Sequence, residues 1–208
     1  MQIQTYTFGP FATNTYIVTD EQGHVLLIDP ACSNEYERQQ LLNHITRQSS
    51  NRSLTILATH GHLDHLWGAK WATEQWNVPV LMHPDDIPMA QAMQQQYDLF
   101  GIRRQAESFP IADLKSEILN HKFEILNHKF EILNTPGHTP GSICLYWPEE
   151  KVLFSGDTLF CMGYGRTDLP GGNMGQLISS LERLFDLPGD VKVYPGHGES
   201  TTIGAERR

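Results

Sequence analysis

Short apolar runs recur along this chain, separated by polar stretches of helical character. TYIVT, HVLLID, LTILAT, VPVLM, SICLYW, KVLFS and VKVYP are rich in β-branched and aromatic residues, and they predict strands. Helices are predicted over Asn34–Gln48, Leu66–Trp76, Asp85–Leu99 and Met174–Phe185. Within the second of these, Trp67 and Trp71 stand one turn apart, so both can face the same core. The early strands follow one another as hairpins, whereas later ones alternate with helices. That order predicts a mixed α/β sandwich rather than a purely parallel sheet.

One segment breaks the pattern. Residues 117–134 read EILNHKF, EILNHKF, EILN, a perfect tandem repeat of seven. Two copies with β-branched and Asn-rich content make a poor coiled coil. Because seven is odd, a strand running through both copies would turn opposite faces of each copy to the core, so one copy cannot simply replace the other. One copy is therefore expected to lengthen a hairpin or loop. His121 and His128, being duplicates, are not expected to serve as ligands.

Composition narrows the field. A length of 208 residues suits one large α/β domain spanning residues 1–208, and 39% hydrophobic residues suffice for a core. A net charge of −9 argues against nucleic acid, which is held by clustered Lys and Arg. The N-terminal MQIQTYTFGPFATNTYIV lacks the layout of a signal peptide, and no apolar stretch is long enough to cross a membrane, so a non-membrane, cytoplasmic protein is expected. Three cysteines, Cys32, Cys144 and Cys161, are too few for a disulfide framework and fit a reducing compartment.

The chemistry concentrates at strand ends. LTILAT leads into HGHLDH, EILN into TPGHTPG, KVLFSG into Asp157, and VKVYPG into His197. Loops at the carboxyl ends of strands can converge while the sheet holds them rigid. Seven potential ligands gather there: His60, His62, Asp64, His65, His138, Asp157 and His197. Imidazole and carboxylate suit Zn²⁺, with Fe, Mn or Co as alternatives, and the absence of Cys argues against a closed structural knot. Seven ligands exceed the needs of one tetrahedral ion but divide between two ions that share a carboxylate and a solvent oxygen. Two such cations would lower the pKa of the shared solvent and furnish a hydroxide nucleophile, whose hydrogen bond Asp64 could accept. Asp29, ending VLLID, could orient a ligand histidine, and Cys161 is expected to be a free thiol.

HGHLDH, PGHTPG, SGDTLF and PGHG, in that order over nearly the whole chain, resemble the metallo-β-lactamase-fold hydrolases, and most closely their glyoxalase II-like branch of hydroxyacylglutathione hydrolases. The resemblance implies a four-layer αβ/βα sandwich around two mixed sheets. It also implies that His60, His62 and His138 hold one metal, that Asp64, His65 and His197 hold the other, and that Asp157 bridges them. Lactamases of the fold commonly lack that bridging Asp, which directs expectation away from antibiotic hydrolysis. GYGRTDLPGGN, residues 163–173, resembles the loop that follows the bridging Asp, where Arg166 and Asp168 could brace the site. The residues after His197 are GESTTIGAERR, without the helical domain that contacts glutathione in the familiar enzymes, so glutathione specificity is not expected to follow automatically.

The implied activity is thioester hydrolysis, with S-lactoylglutathione as the leading substrate, since a thiolate leaves without a strong general acid. The alternatives are a persulfide dioxygenase-like enzyme with one iron at His60, His138 and Asp157, and a metal-stabilised scaffold with no turnover. His24, His44 and His83 carry no such signal and read as surface or packing residues.

Overall fold

The apolar runs become strands covered on both faces, by helices on one side and by a second sheet on the other. The computed structural model describes residues 2–48, 53–114, 122–125 and 128–207. The first sheet holds β1 (Gln2–Phe8), β2 (Thr13–Thr19), β3 (Val25–Ile28), β4 (Leu54–Leu57), β5 (Val80–Met82) and β6 (Ile111–Asp113) in sequential order. Its first three strands are antiparallel and the rest are parallel. The second sheet contains β7 (Lys122–Ile125), β8 (His128–Asn134), β9 (Ile143–Trp147) and β10 (Val152–Gly156). After a small ribbon of β11 (Leu159–Phe160) and β12 (Gly163–Tyr164), β13 (Lys192–Pro195) and β14 (Thr201–Thr202) complete it in the order β14-β13-β10-β9-β8-β7. Only β10 and β13 pair in parallel there.

Strand periodicity distributes side chains to three cores, which define four layers. Val25 and Leu27 of β3 face helices α1 (Glu35–Gln48) and α2 (Ala69–Trp76), where Leu41, Ile45, Ala69 and Ala72 meet them. Leu26 and Ile28, on the opposite face of the same strand, pack against Phe130, Leu145, Trp147 and Phe154 of the second sheet. The outer face of that sheet, through Cys144, Tyr146, Leu153 and Val193, receives Leu177, Leu181 and Leu184 of α5 (Met174–Phe185) and Ile203 of α6 (Ile203–Glu206). Each fully buried aliphatic side chain here contributes roughly 1.5–3 kcal/mol of transfer free energy. The result is the mixed α/β sandwich with two mixed sheets that the motifs implied.

Several boundaries differ from expectation. The helix expected from Leu66 begins at Ala69, because the Gly68 amide donates to the Pro30 carbonyl (2.8 Å). Trp67 and Trp71 nevertheless pack against the same core. The single helix expected over Asp85–Leu99 is broken into α3 (Ile87–Gln91) and α4 (Met93–Leu99) after a 3₁₀ turn at Pro84–Asp86. Pro88 confines the start of α3, and at the break the Gln96 side-chain amide donates to the Met89 carbonyl (3.0 Å). Later strands do not all alternate with helices: β8, β9 and β10 are consecutive antiparallel partners. The repeat folds back on itself, with Lys122 to Ile125 pairing with Glu131 to His128, so the edge strand spans the junction between the first copy and the second. His121 lies outside the described residues. Strands β1, β6 and β14, not foreseen, lie at or near sheet edges where short polar runs give little periodic signal.

Across one end of the sandwich the two sheets are stitched together. Asn14 of β2 donates its backbone N–H to the Gly196 carbonyl (2.7 Å) and its side chain to Pro195 O (3.0 Å) and Gly198 O (2.9 Å). Tyr16 Oη donates to Pro195 O at 2.5 Å. On the other flank Ile143 N–H donates to Thr59 O (3.0 Å).

Candidate metal centre

That stitched end is where the ligand-bearing loops emerge. β4 delivers His60, His62, Asp64 and His65; β8 delivers His138; β10 delivers Asp157; and β13 delivers His197. His60, His62, His65, His138 and Asp157 are buried, whereas Asp64 and His197 border solvent. Close approach needs Gly196: a Cβ there would overlap Asp157 Oδ1 and crowd His65 Cε1.

All seven expected residues converge. Three groups each place their ligand atoms within 4.8 Å of one another: His60, His62 and His138; His60, His65 and Asp157; and Asp64, His65 and His197. His62 Nδ1 and His138 Nε2 are 2.8 Å apart. Asp157 reaches both sides, with Oδ2 at 3.6 Å from His138 Nε2 and 3.5 Å from His197 Nε2, and Oδ1 at 3.3 Å from His65 Nε2. His197 Nε2 lies 3.1 Å from Asp64 Oδ2.

Outer hydrogen bonds decide which nitrogen of each ring faces inward. The Arg166 carbonyl can only accept, so His138 carries its proton on Nδ1 (2.7 Å) and turns the lone pair of Nε2 inward. Asp29 Oδ2 accepts from His65 Nδ1 (2.9 Å) and likewise leaves Nε2 facing the site. Asp29 is held in turn by Thr59 N–H to Oδ1 (2.7 Å) and Thr59 Oγ1 to Oδ2 (2.8 Å).

The donor set fits a cation. His60 Nε2, His65 Nε2 and Asp157 Oδ1 are buried without a hydrogen-bond partner, and each belongs to a ligand group. Leaving such atoms unsatisfied costs about 1–3 kcal/mol apiece. A neutral His65 would aim its lone pair at two carboxylates, an arrangement only a proton or a metal ion between them can stabilise.

Electrostatics divides the cluster. Burial, reinforced by His65, His138 and the other neighbouring imidazoles, holds His60 well below the ordinary histidine range. Burial, then the charge of His138, pushes His62 down to about 3. Both stay neutral at pH 7, the form that binds metal. For His65 burial opposes the charge, yet Asp64, Asp157 and Asp29 together raise its pKa well above the usual value. His197 is also raised, against its burial, by Asp64 and Asp157. Burial disfavours the ionised forms of Asp64 and Asp157, but the imidazoles beside them prevail and hold both carboxyls below their ordinary range.

Three supporting residues escaped sequence reasoning. Asp86 is fully buried and accepts from Gly61 N–H (2.8 Å) and Thr139 Oγ1 (2.7 Å) on Oδ2, and from Gly141 N–H (2.6 Å) on Oδ1. It thereby ties the HGHLDH loop to the PGHTPG loop. Gln96 accepts from Leu63 N–H (2.9 Å) and donates to Gly61 O (3.0 Å). Thr13 Oγ1 donates to Asp64 Oδ2 (2.9 Å). Their only sequence signal is a polar residue in an otherwise ordinary turn, helix or strand start.

Other expectations resolve simply. Arg166 braces the site through its carbonyl, while its guanidinium pairs with Asp168 in the open (2.7 Å). Cys32, Cys144 and Cys161 are free thiols. His24 pairs with Asp20 (2.7 Å), His44 contacts Tyr6 Oη (3.2 Å) and His83 caps the 3₁₀ turn, all outside the ligand groups. Among the described residues no helix is long and apolar enough to cross a membrane.

Residues 8–197 match the family model described as Metallo-beta-lactamase superfamily. The chain is similar to hydroxyacylglutathione hydrolase GloC of Haemophilus influenzae, at 35% identity over all of this chain and 96% of the relative. It is also similar to the crystal structure of the BLEG-1 B3 metallo-β-lactamase, with TM-score 0.85 and 31% identity over 99% of this chain and 96% of that one. The structure of TTHA1623 in a di-iron-bound form gives TM-score 0.83 and 35% identity over 99% of this chain and 97% of that one.

Proposed function

The chain belongs to the metallo-β-lactamase superfamily, and from that premise we propose that it is a dinuclear metal-dependent thioester hydrolase whose residues 1–208 work as one domain in the cytoplasm. S-lactoylglutathione is the first substrate to test, a choice supported by the similarity to GloC. The carrying observation is the sharing of residues among the ligand groups: His60 belongs to two, His65 to two, and Asp157 lies within 3.6 Å of members of both outer groups.

In this reading His60, His62 and His138 hold one ion, Asp64, His65 and His197 the other, and Asp157 joins them. Zinc suits the donors, and iron or manganese remains compatible, as the di-iron form of the similar TTHA1623 illustrates. When bound, the ions supply a solvent nucleophile of lowered pKa and polarise the acyl carbonyl. The chain's own work is orientation. Asp64, fixed by Thr13 and His197 at the solvent-facing edge, is suited to accept a hydrogen bond from an attacking water and align it. Asp29 and the Arg166 carbonyl keep the imidazoles in one tautomer. The departing thiolate needs no strong general acid.

The test is metal analysis of the purified chain together with thioester assays, using His138→Ala as control and a β-lactam in the same panel because of the BLEG-1 likeness. Two equivalents of metal and turnover of S-lactoylglutathione or a simpler thioester, lost in the variant, are expected. Fully metallated protein that leaves every thioester intact defeats the proposal. A one-iron dioxygenase at His60, His138 and Asp157 would instead consume oxygen with glutathione persulfide. Members of that triad also lie close together, His60 sharing a ligand group with Asp157 and another with His138, and His138 Nε2 standing 3.6 Å from Asp157 Oδ2, so the oxygen assay decides between the two readings. A scaffold would lose thermal stability on chelation and turn over nothing.

A further inference from the structure

A groove of about 300 Å³ opens directly on His62, a member of the first ligand group. Met89 of α3 with Leu99 and Phe100 at the end of α4 form one wall, and Leu169 and Pro170 form the other. The break at Ala92 lets both helices line the same space. Among the described lining residues the His62 imidazole is the one titratable side chain, and Gln95 and Gln96 add neutral polar groups. The guanidinium of Arg166, in the loop leading to Leu169, is engaged by Asp168, and that of Arg104 lies over the Trp67 ring (5.5 Å).

The mouth of the groove leaves large apolar side chains in solvent. Leu99 is 59% exposed and Phe100 39%. Phe11, 5.9 Å from the Phe100 ring, continues the apolar rim. Apolar side chains clustered around a concave site beside a candidate metal centre mark a ligand surface, and the chemistry of such a surface is set by what it lacks. Among the described residues no Lys or Arg lines it, so they offer an anionic tripeptide thiol no ion pair, whereas an alkyl chain or one aromatic ring buries the exposed surface.

We propose that this groove is a specificity site for a neutral, apolar portion of the substrate, either a short alkyl chain or a single ring attached to the scissile thioester. The inference rests on the thioesterase reading and refines it. Substrates that fill the groove should be cleaved faster than S-lactoylglutathione.

Two substrate series on the metal-loaded full chain test this. One lengthens the acyl group from acetyl to hexanoyl on N-acetylcysteamine; the other keeps acetyl and lengthens the thiol from ethanethiol to hexanethiol, with glutathione as the anionic comparison. In whichever series enters the groove, kcat/KM should rise about threefold to fourfold per methylene. Leu99→Lys should flatten that slope and favour a succinyl thioester, while Ile178→Lys, on an exposed position of α5, should retain the wild-type slope. A flat slope in both series, or a slope that survives Leu99→Lys, overturns the proposal. Binding of hexanamide to the metal-free protein, followed through the methyl resonances of Met89 and Ala92, gives a readout independent of turnover. Shifts in those methyls that Leu99→Lys abolishes, with no thioester cleaved, would sink the thioesterase reading and keep the apolar site. Cleavage of thioesters with neither slope nor shifts would do the reverse.

Discussion

The two outer ligand groups are built from similar residues yet have opposite electrostatics. His60, His62 and His138 form an all-imidazole set in which burial drives His60 and His62 toward neutrality. Asp64, His65 and His197 form a mixed set in which carboxylates draw positive charge onto the imidazoles. Buried carboxylates support both sets, and through Thr59, Asp29 also reaches His60 of the first. Asp86 fastens the loops that carry the first set, and Asp29 orients His65 of the second. The difference teaches that the first set is shaped mainly by exclusion of water and the second by charge. A cation in the second set replaces a proton that the carboxylates already attract, while one in the first set meets lone pairs that are already available.

The most severe way to break this contrast is to remove the residue common to both sides. Asp157→Ala should lower thioesterase activity by more than about 10²-fold, beyond the usual loss for a supporting residue, and metal analysis should show fewer than two ions bound. Full activity with two ions would disprove a joint role.

Next in size is Asp86→Ala. It strands the amides of Gly61 and Gly141, each worth about 1–3 kcal/mol, so chemical denaturation should reveal a loss of roughly 2–6 kcal/mol. A change below half a kcal/mol would show that the loops hold without it.

Asp29→Asn keeps the shape but weakens the grip on His65. Metal titration should then show a loss of about 10–100-fold in affinity at one site only. Equal weakening of both sites would erase the distinction between the sets.

The gentlest test is proton titration of the metal-free protein by NMR. His62, held down to about 3, should remain neutral at pH 5, whereas His65 should still be protonated above pH 6.5. For His62 the folded value is depressed, so the unfolded chain takes up a proton that the folded site refuses. Its contribution to stability is complete above pH 6.5 and is lost as pH falls toward about 3. For His65 the folded value is raised, so its contribution is complete below pH 6.5 and is lost as pH rises through the elevated value. Identical titration of the two rings would remove the electrostatic basis of the comparison.

These supports also mark how far the sequence can be read. HGHLDH is legible because its four ligand types adjoin, and His138, Asp157 and His197 are legible because each follows an apolar run and a glycine turn. Asp29 could be suspected for ending a strand. Asp86 could not, since in HPDDIP it looks like an ordinary helix-start acid, and its partners at Gly61 and Gly141 are remote in the chain. Gln96 sits in MQQQY, which reads as a solvated face; only the fold shows that this glutamine turns to the Leu63 amide and the Gly61 carbonyl while Gln95 lines the groove. The four layers were foreseeable from strand and helix order together with the family motifs, but the edge strands were not, because pairing on one side leaves little hydrophobic pattern.

The seam between the sheets has one last implication. An ion grasped by His60 and His138, or by Asp64 and His197, fastens distant stretches of polypeptide from opposite sheets in the manner of a removable crosslink. Free metal concentration then becomes a variable of folding as well as of turnover: a hundredfold excess over the dissociation constant adds about 2.7 kcal/mol to the native state. Starvation for metal would therefore loosen the sandwich as well as silence it.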